Sequence, residues 1–150
     1  VEVANFNCPG QIVISGEAEK IEAAVADTAG RGFRMVKPLN VAGAYHSRLM
    51  APARDAFAGY IRDFRFAEPS MTVYANVSGE PIRGEAAIRD ALVRQIVSPV
   101  RFEDCLRNAA AEHAPERFYE CGPGKVLAGL ARRTDKTLAV TPVAEWDDIG

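Results

Sequence analysis

Phe118-Tyr119-Glu120-Cys121-Gly122-Pro123-Gly124-Lys125-Val126-Leu127-Ala128-Gly129-Leu130 decides the architecture. Phe118 to Cys121 reads as a short strand and Gly122-Pro123-Gly124 as a turn. A helix follows, with Val126, Leu127 and Leu130 expected to face inward. Leu138, Val140 and Pro142 then mark a closing strand. Strand, tight turn, helix and strand form the repeating unit of a parallel sheet, which places the chain in the α/β class.

Working backwards, Met50, Ala53, Phe57, Ile61 and Phe64 predict a helix of about four turns. Val73, Ala75 and Val77 predict a strand, and Ile88, Ala91, Leu92 and Ile96 a second helix stopped by Ser98-Pro99. Cys105, Leu106 and Ala109 suggest a third. Ahead of Ala44 the pattern differs. Val1 and Val3 alternate with Glu2 and Ala4, Asn7-Cys8-Pro9-Gly10 is a dense turn signal, and Gln11–Ser15 is a second strand. Ile21, Ala24, Val25 and Thr28 share one helical face, which Gly30 and Gly32 end. Phe33, Met35, Leu39 and Val41 predict another strand, with Pro38 suggesting an edge position. That order is a ferredoxin-like unit without its first strand and helix, or else a complete small α+β domain. The chain divides into residues 1–43 and 44–150 on this reading, with no internal repeat.

Composition removes several function classes. A net charge of −2 with 48% hydrophobic residues gives no reason to expect nucleic acid or a membrane surface as partner. The one tight basic pair, Arg132-Arg133, fits the C-terminal dipole of a short helix. No apolar run approaches the ~18 residues of a membrane span. Cys8, Cys105 and Cys121 are odd in number and form no Cys-x-x-Cys pair, so neither a disulfide framework nor a metal site is expected. A reducing cytoplasm fits best, with each thiol a small core filler.

Three places could carry chemistry. His46 lies in Ala44-Tyr45-His46-Ser47-Arg48-Leu49-Met50, at the junction of the two parts, where reacting groups concentrate. It reads as a catalytic, a capping or a solvated residue; His113, at a helix end among polar neighbours, reads as solvated. Gln95 falls on the apolar stripe of its helix, so its amide needs a partner, structural or functional. Glycines before a helix N-terminus, as in Gly122-Pro123-Gly124, can admit a phosphate or pantetheine chain, but they serve tight turns more often.

Four segments together carry a resemblance. Asn5-Phe6-Asn7-Cys8-Pro9-Gly10-Gln11-Ile12-Val13-Ile14-Ser15-Gly16 resembles the Asn-x-Pro-Gly-Gln motif of malonyl-CoA:acyl-carrier-protein transacylases. Gly43-Ala44-Tyr45-His46-Ser47 with Leu49-Met50 is similar to the active-site histidine segment of that family. Ile88 to Ile96 with Ser98-Pro99-Val100 resembles its helix leading into a Pro-Val turn, and Glu120 to Leu127 its Glu-x-Gly-Pro-Gly-Lys-Val-Leu signature. They occur in family order from about Val3 to Arg133.

The resemblance implies an enzyme of fatty-acid biosynthesis that moves malonyl from coenzyme A to the phosphopantetheine thiol of acyl carrier protein through an acyl-serine, with no cofactor. His46 matches its general base and Gln95 the residue supporting that histidine, through a neutral acceptor that fixes the tautomer. Asn7 and Tyr45 match substrate-side positions; at Tyr45 many malonyl-specific members carry Phe, and Cys8 stands where Ser is common. The implied fold is the second half of an α/β-hydrolase-like acyltransferase domain plus part of a ferredoxin-like small subdomain. The sequence departs from the family in having no Gly-His-Ser-x-Gly elbow. The Gln-Gly oxyanion motif and the malonyl-pairing arginine are also absent. All three, with the first strand and helix, are expected on an N-terminal half of the same enzyme, which is then this chain's partner. Alternatives are the acyltransferase of a malonate decarboxylase or polyketide synthase, or a carrier-protein docking fragment without catalysis.

Overall fold

A computed structural model describes residues 1–145 and 147. It opens with an antiparallel hairpin, β1 (Glu2–Cys8) and β2 (Gln11–Ser15), turning at Gly10 with φ +75°. The pairing slips between Phe6 and Cys8, so Asn7 sits at a bulge, an irregularity that re-aims a side chain. Helix α1 (Ala18–Asp27) follows. A 3₁₀ turn at Arg48–Met50 runs into α2 (Ala51–Tyr60). Next come the two-residue strands β3 (Val73–Tyr74) and β4 (Pro81–Ile82), paired antiparallel, and α3 (Glu85–Gln95). Ser98-Pro99 lies just beyond α3, where the residue before proline disfavours helix. The chain continues through α4 (Phe102–His113), β5 (Phe118–Cys121), α5 (Val126–Thr134) and β6 (Val140–Val143).

The β5–α5–β6 unit is the parallel crossover the sequence predicts, with Phe118 opposite Val140 and Cys121 opposite Val143. The buried residues are few. Ala4 and Cys8 of β1, Cys105 and Leu106 of α4, Leu130 and Ala131 of α5 and Val143 of β6 form a small core where the hairpin meets α4 and α5. The accessible surface is 10547 Å². A compact monomer of 16.2 kDa would expose roughly 7,500 Å². Much apolar surface is therefore left open.

Several expectations are corrected. Residues 33–41 form no strand; they run as open coil, with Met35 81% and Phe33 64% exposed. A strand requires a neighbour for its ladder, and none of the described strands pairs with this stretch. The ferredoxin-like order thus reduces to a hairpin followed by one helix. The sheet is not one layer but three two-stranded pieces, plus a parallel bridge from Asn5 to Val100. Helix α2 ends at Tyr60, short of the expected Phe64, and Val126 and Leu127 are exposed although Leu130 is buried. Cys8 and Cys105 are the expected core fillers, whereas Cys121 is exposed. Arg132 and Arg133 do lie in the last turn of α5. No described helix is long and apolar enough to cross a membrane.

Candidate active site

His46 has φ +60°, the left-handed region that costs a non-glycine residue roughly 1–2 kcal/mol. Among the described residues the other non-glycine with positive φ is Ala114, whose place as the C-cap of α4 accounts for it. Tyr45 and His46 form the centre of a tight turn, and His46 is the residue of that turn that takes the positive φ. What holds it is the next residue. Ser47 is only 1% exposed; its hydroxyl donates to the Ala44 carbonyl at 2.6 Å and accepts from the Leu49 N–H at 3.3 Å. One side chain therefore caps the coming helix and braces the loop on both sides of His46.

The ring points across to α3. His46 Nδ1 lies 3.0 Å from the main-chain carbonyl oxygen of Gln95. A carbonyl only accepts, so this contact calls for a proton on Nδ1, and in the neutral ring the lone pair is then on Nε2. Gln95 ends α3, so this carbonyl is among those the helix cannot satisfy internally. His46 thus meets the supporting residue that the sequence indicates, but through its backbone. The Gln95 side chain is turned away, its Nε2 donating to the Ser98 carbonyl at 3.0 Å. It is half-buried rather than sealed in the core.

The same turn carries the hairpin. Val100 N–H donates to the Ala4 carbonyl and Phe6 N–H to the Val100 carbonyl, each at 2.8 Å. A second tie comes from Arg48, whose N–H donates to Glu2 at 2.9 Å and whose guanidinium reaches Glu2 and Glu17 at 3.3 Å. Asn7, half-buried at its bulge, and Tyr45, exposed beside Gly43 and Met50, flank these elements. No hydrogen bond joins either of them to His46 or Gln95 among the described residues.

The Gly122-Pro123-Gly124 turn is closed to an anion. The buried Glu120 carboxylate accepts from the Leu127 and Ala128 N–H groups, both at 2.8 Å, and so occupies the N-terminus of α5 itself. Gly122 and Gly124 take φ +124° and +101° to let the chain fold back. His113 is exposed, edge-on to the Tyr74 ring. Burial pushes the Cys8 and Cys105 thiols above their usual range, so neither is a ready nucleophile. Among the described residues no three His, Cys, Asp or Glu side chains converge as a metal site would require.

The sequence reading missed Ser47, although a serine just before an apolar-periodic stretch is an N-cap signal. It also missed the capping role of Glu120, for which spacing gives no rule.

The family model for the acyl transferase domain matches residues 1–146. The malonyl CoA-acyl carrier protein transacylase of Bacillus subtilis is 38% identical over 149 residues, 99% of this chain and 47% of its own length. The crystal structure of the acyl-carrier-protein S-malonyltransferase of Burkholderia pseudomallei superposes with a TM-score of 0.94 at 38% identity, covering 99% of this chain and 48% of that one. A malonyl-transacylase solved in complex with a type II PKS acyl-carrier protein gives 0.92 at 36% identity, over 98% of this chain and 47% of that one. The chain spans about half the length of the curated relatives it matches.

Proposed function

The chain belongs to the acyl transferase domain family, and from that membership we propose that it supplies the base and part of the substrate cleft of an enzyme moving malonyl from coenzyme A to acyl carrier protein. The observation that carries the reading is the His46 Nδ1–H···O bond to Gln95, made by a histidine held at φ +60°. It presents a ring nitrogen with a free lone pair beside the junction of the hairpin and the α2–α3 layer.

The chemistry follows from that lone pair. A serine hydroxyl, on a segment of the full-length protein outside this chain, loses its proton to His46 Nε2 as its oxygen attacks the malonyl thioester carbonyl. The C–S bond breaks and the departing coenzyme A sulfur takes the proton from Nε2. In the second half the pantetheine thiol gives its proton to Nε2, its sulfur attacks the acyl-serine, and the serine oxygen recovers the proton. In both halves the transient positive charge on the ring lies at the C-terminal end of α3, where the helix dipole favours it. Asn7 and Tyr45 line the substrate side; the Tyr45 ring disfavours an α-methyl group on the acyl chain. No cofactor takes part.

In this reading residues 1–43 belong to a ferredoxin-like small subdomain and 44–150 to the second half of an α/β-hydrolase-like domain. The surface left open supports a further segment covering it. The setting is fatty-acid synthesis in the cytoplasm. The relative solved with a polyketide carrier protein favours, as second reading, the same transfer onto such a carrier.

The test is the full-length protein with labelled malonyl-CoA and acyl carrier protein. His46→Ala should lower transfer by roughly 10²–10⁴-fold with the fold intact. Near-wild-type turnover in that variant removes His46 from the mechanism.

A further inference from the structure

We infer that Arg89 is a positioning residue for His46, acting through the α2–α3 pair; this rests on the acyl-transfer reading above. The Arg89 guanidinium reaches out of α3 to the far end of α2. There it donates to the main-chain carbonyls of Ile61, of Arg62 at 2.9 Å and of Phe64 at 2.7 Å. Glu85, one turn earlier on α3, accepts from it at 2.7 Å, and the Phe66 ring lies 5.2 Å from its Cζ. The side chain is 27% exposed.

Each of those carbonyls lies at or beyond the end of α2, where helical bonding has run out. A guanidinium fork serves several at once, and its positive charge complements that end of the helix. On its own this would be a helix cap. The topology gives it a second consequence. The other end of α2 begins at the His46–Ser47 loop, and the other end of α3 is Gln95, whose carbonyl holds the ring. Besides their direct packing, the two helices are tied by polar bonds at two points: Arg89 toward one end and the His46–Gln95 bond at the other. Arg89 stands six residues before Gln95, roughly 9 Å along the same rigid helix. With the first fastening gone, α2 shifts against α3, and the bond at the second lengthens.

That bond decides which ring nitrogen carries the proton. Weakening it raises the fraction of His46 protonated at Nε2, the tautomer that cannot act as base. Arg89 is engaged by backbone groups, so its removal leaves the substrate contacts in place. The signature is a fall in kcat without a rise in KM for malonyl-CoA.

The experiment uses the full-length enzyme with Arg89→Met, which keeps the aliphatic stem and removes the donors, and Arg89→Lys, which keeps one charge without the fork. Two quantities are read: transfer kinetics, and the ring ¹⁵N shifts of His46, assigned by difference from His46→Ala. The expected result for Arg89→Met is a loss in kcat of roughly ten- to a hundredfold, in line with a small misplacement of a catalytic group. KM should hold and the Nδ1–H signature should weaken, with Arg89→Lys falling between. A lowered melting temperature with unchanged kcat and unchanged ¹⁵N shifts overturns the proposal and leaves Arg89 a helix cap. If Arg89→Met does not fold, Arg89→Lys decides by the same two readings. If His46→Ala leaves transfer intact, the acyl-transfer reading falls, and the ring spectrum of the Arg89 variants still decides the positioning role.

Discussion

The entries into α2 and α5 both use positive-φ backbone, and they assign it to opposite kinds of residue. At the entry to α5 the positive φ values fall on Gly122 and Gly124, and Glu120 reaches over the turn to satisfy the first N–H groups of the helix. At the entry to α2 the positive φ falls on His46, and Ser47 does the bracing. The first arrangement is closed: the positive φ falls on glycines, which carry no side chain to strain, and the Glu120 carboxylate is engaged by two helix N–H groups. The second leaves strain on an imidazole and points one ring nitrogen at a helix end. Backbone strain persists where the surroundings over-determine it, and it concentrates at reacting groups. On the proposed reading, two turns of similar outline differ in what they are for.

The sharpest way to break this comparison is at His46 itself. His46→Ala and His46→Gly in the full-length protein should both lose transfer by roughly 10²–10⁴-fold. Their stabilities should part. Alanine keeps the left-handed penalty and glycine sheds it, so the Gly variant should be more stable than the Ala variant by about 1 kcal/mol in denaturant melts. Equal stabilities would mean that the loop relaxes once the ring is gone.

At the other entry the expected outcome is reversed. Glu120→Ala removes the acceptor of two helix N–H groups from a buried position, which should cost about 2 kcal/mol of unfolding free energy. Transfer per folded molecule should stay near wild type. A variant of unchanged stability with impaired transfer would show that the Gly122-Pro123-Gly124 turn serves the substrate after all.

How far each entry was legible in the sequence follows from the same contrast. Glycine and proline announce a turn, so the strand Phe118–Cys121, the turn and the order helix then strand are legible, although the last strand begins at Val140 rather than Leu138. The φ of His46 is not legible in the sequence; the residue is singled out by its place at the junction and then by the resemblance of its segment. Gln95 is singled out by its place on the apolar stripe and by the resemblance, and it meets the ring through its carbonyl rather than through the amide. A search among side chains looks for an acceptor amide, whereas every residue has a carbonyl and only the fold says which one is offered. Residues 33–41 failed for another reason. Their alternation of Phe33, Met35, Leu39 and Val41 describes a surface to be covered, and alternation alone cannot supply the neighbouring strand. The outward side of α5 at Val126 and Leu127 is the same error in a helix.

A smaller effect separates bracing from capping. Ser47→Ala deletes both the helix cap and the bond to Ala44, at a cost of about 1 kcal/mol. If the hydroxyl also holds the ring in place, kcat should fall with KM unchanged when kinetics are measured on the folded fraction. Loss of stability alone would reduce Ser47 to a cap, the counterpart of Glu120.

The smallest expected effect tests whether Gln95 acts through its backbone. Gln95→Leu removes the amide that donates to Ser98 and leaves the carbonyl facing His46 untouched. The Ser98 carbonyl loses one donor in a half-buried turn, where water can replace it, so the loss should be at most about 1 kcal/mol. Leucine has nearly the volume of glutamine, so no cavity is left beside Ile96 and Leu92. Transfer should therefore survive close to the wild-type rate, and Gln95→Ala should be the less stable of the two variants. Steady-state kinetics and thermal melts on the full-length pair decide the matter. A collapse of transfer in a folded Gln95→Leu enzyme would mean that the amide itself holds the ring during turnover. The entry to α2 would then depend on a side-chain acceptor, as the entry to α5 depends on Glu120, and the contrast between a backbone-held histidine and a side-chain-capped helix would fail.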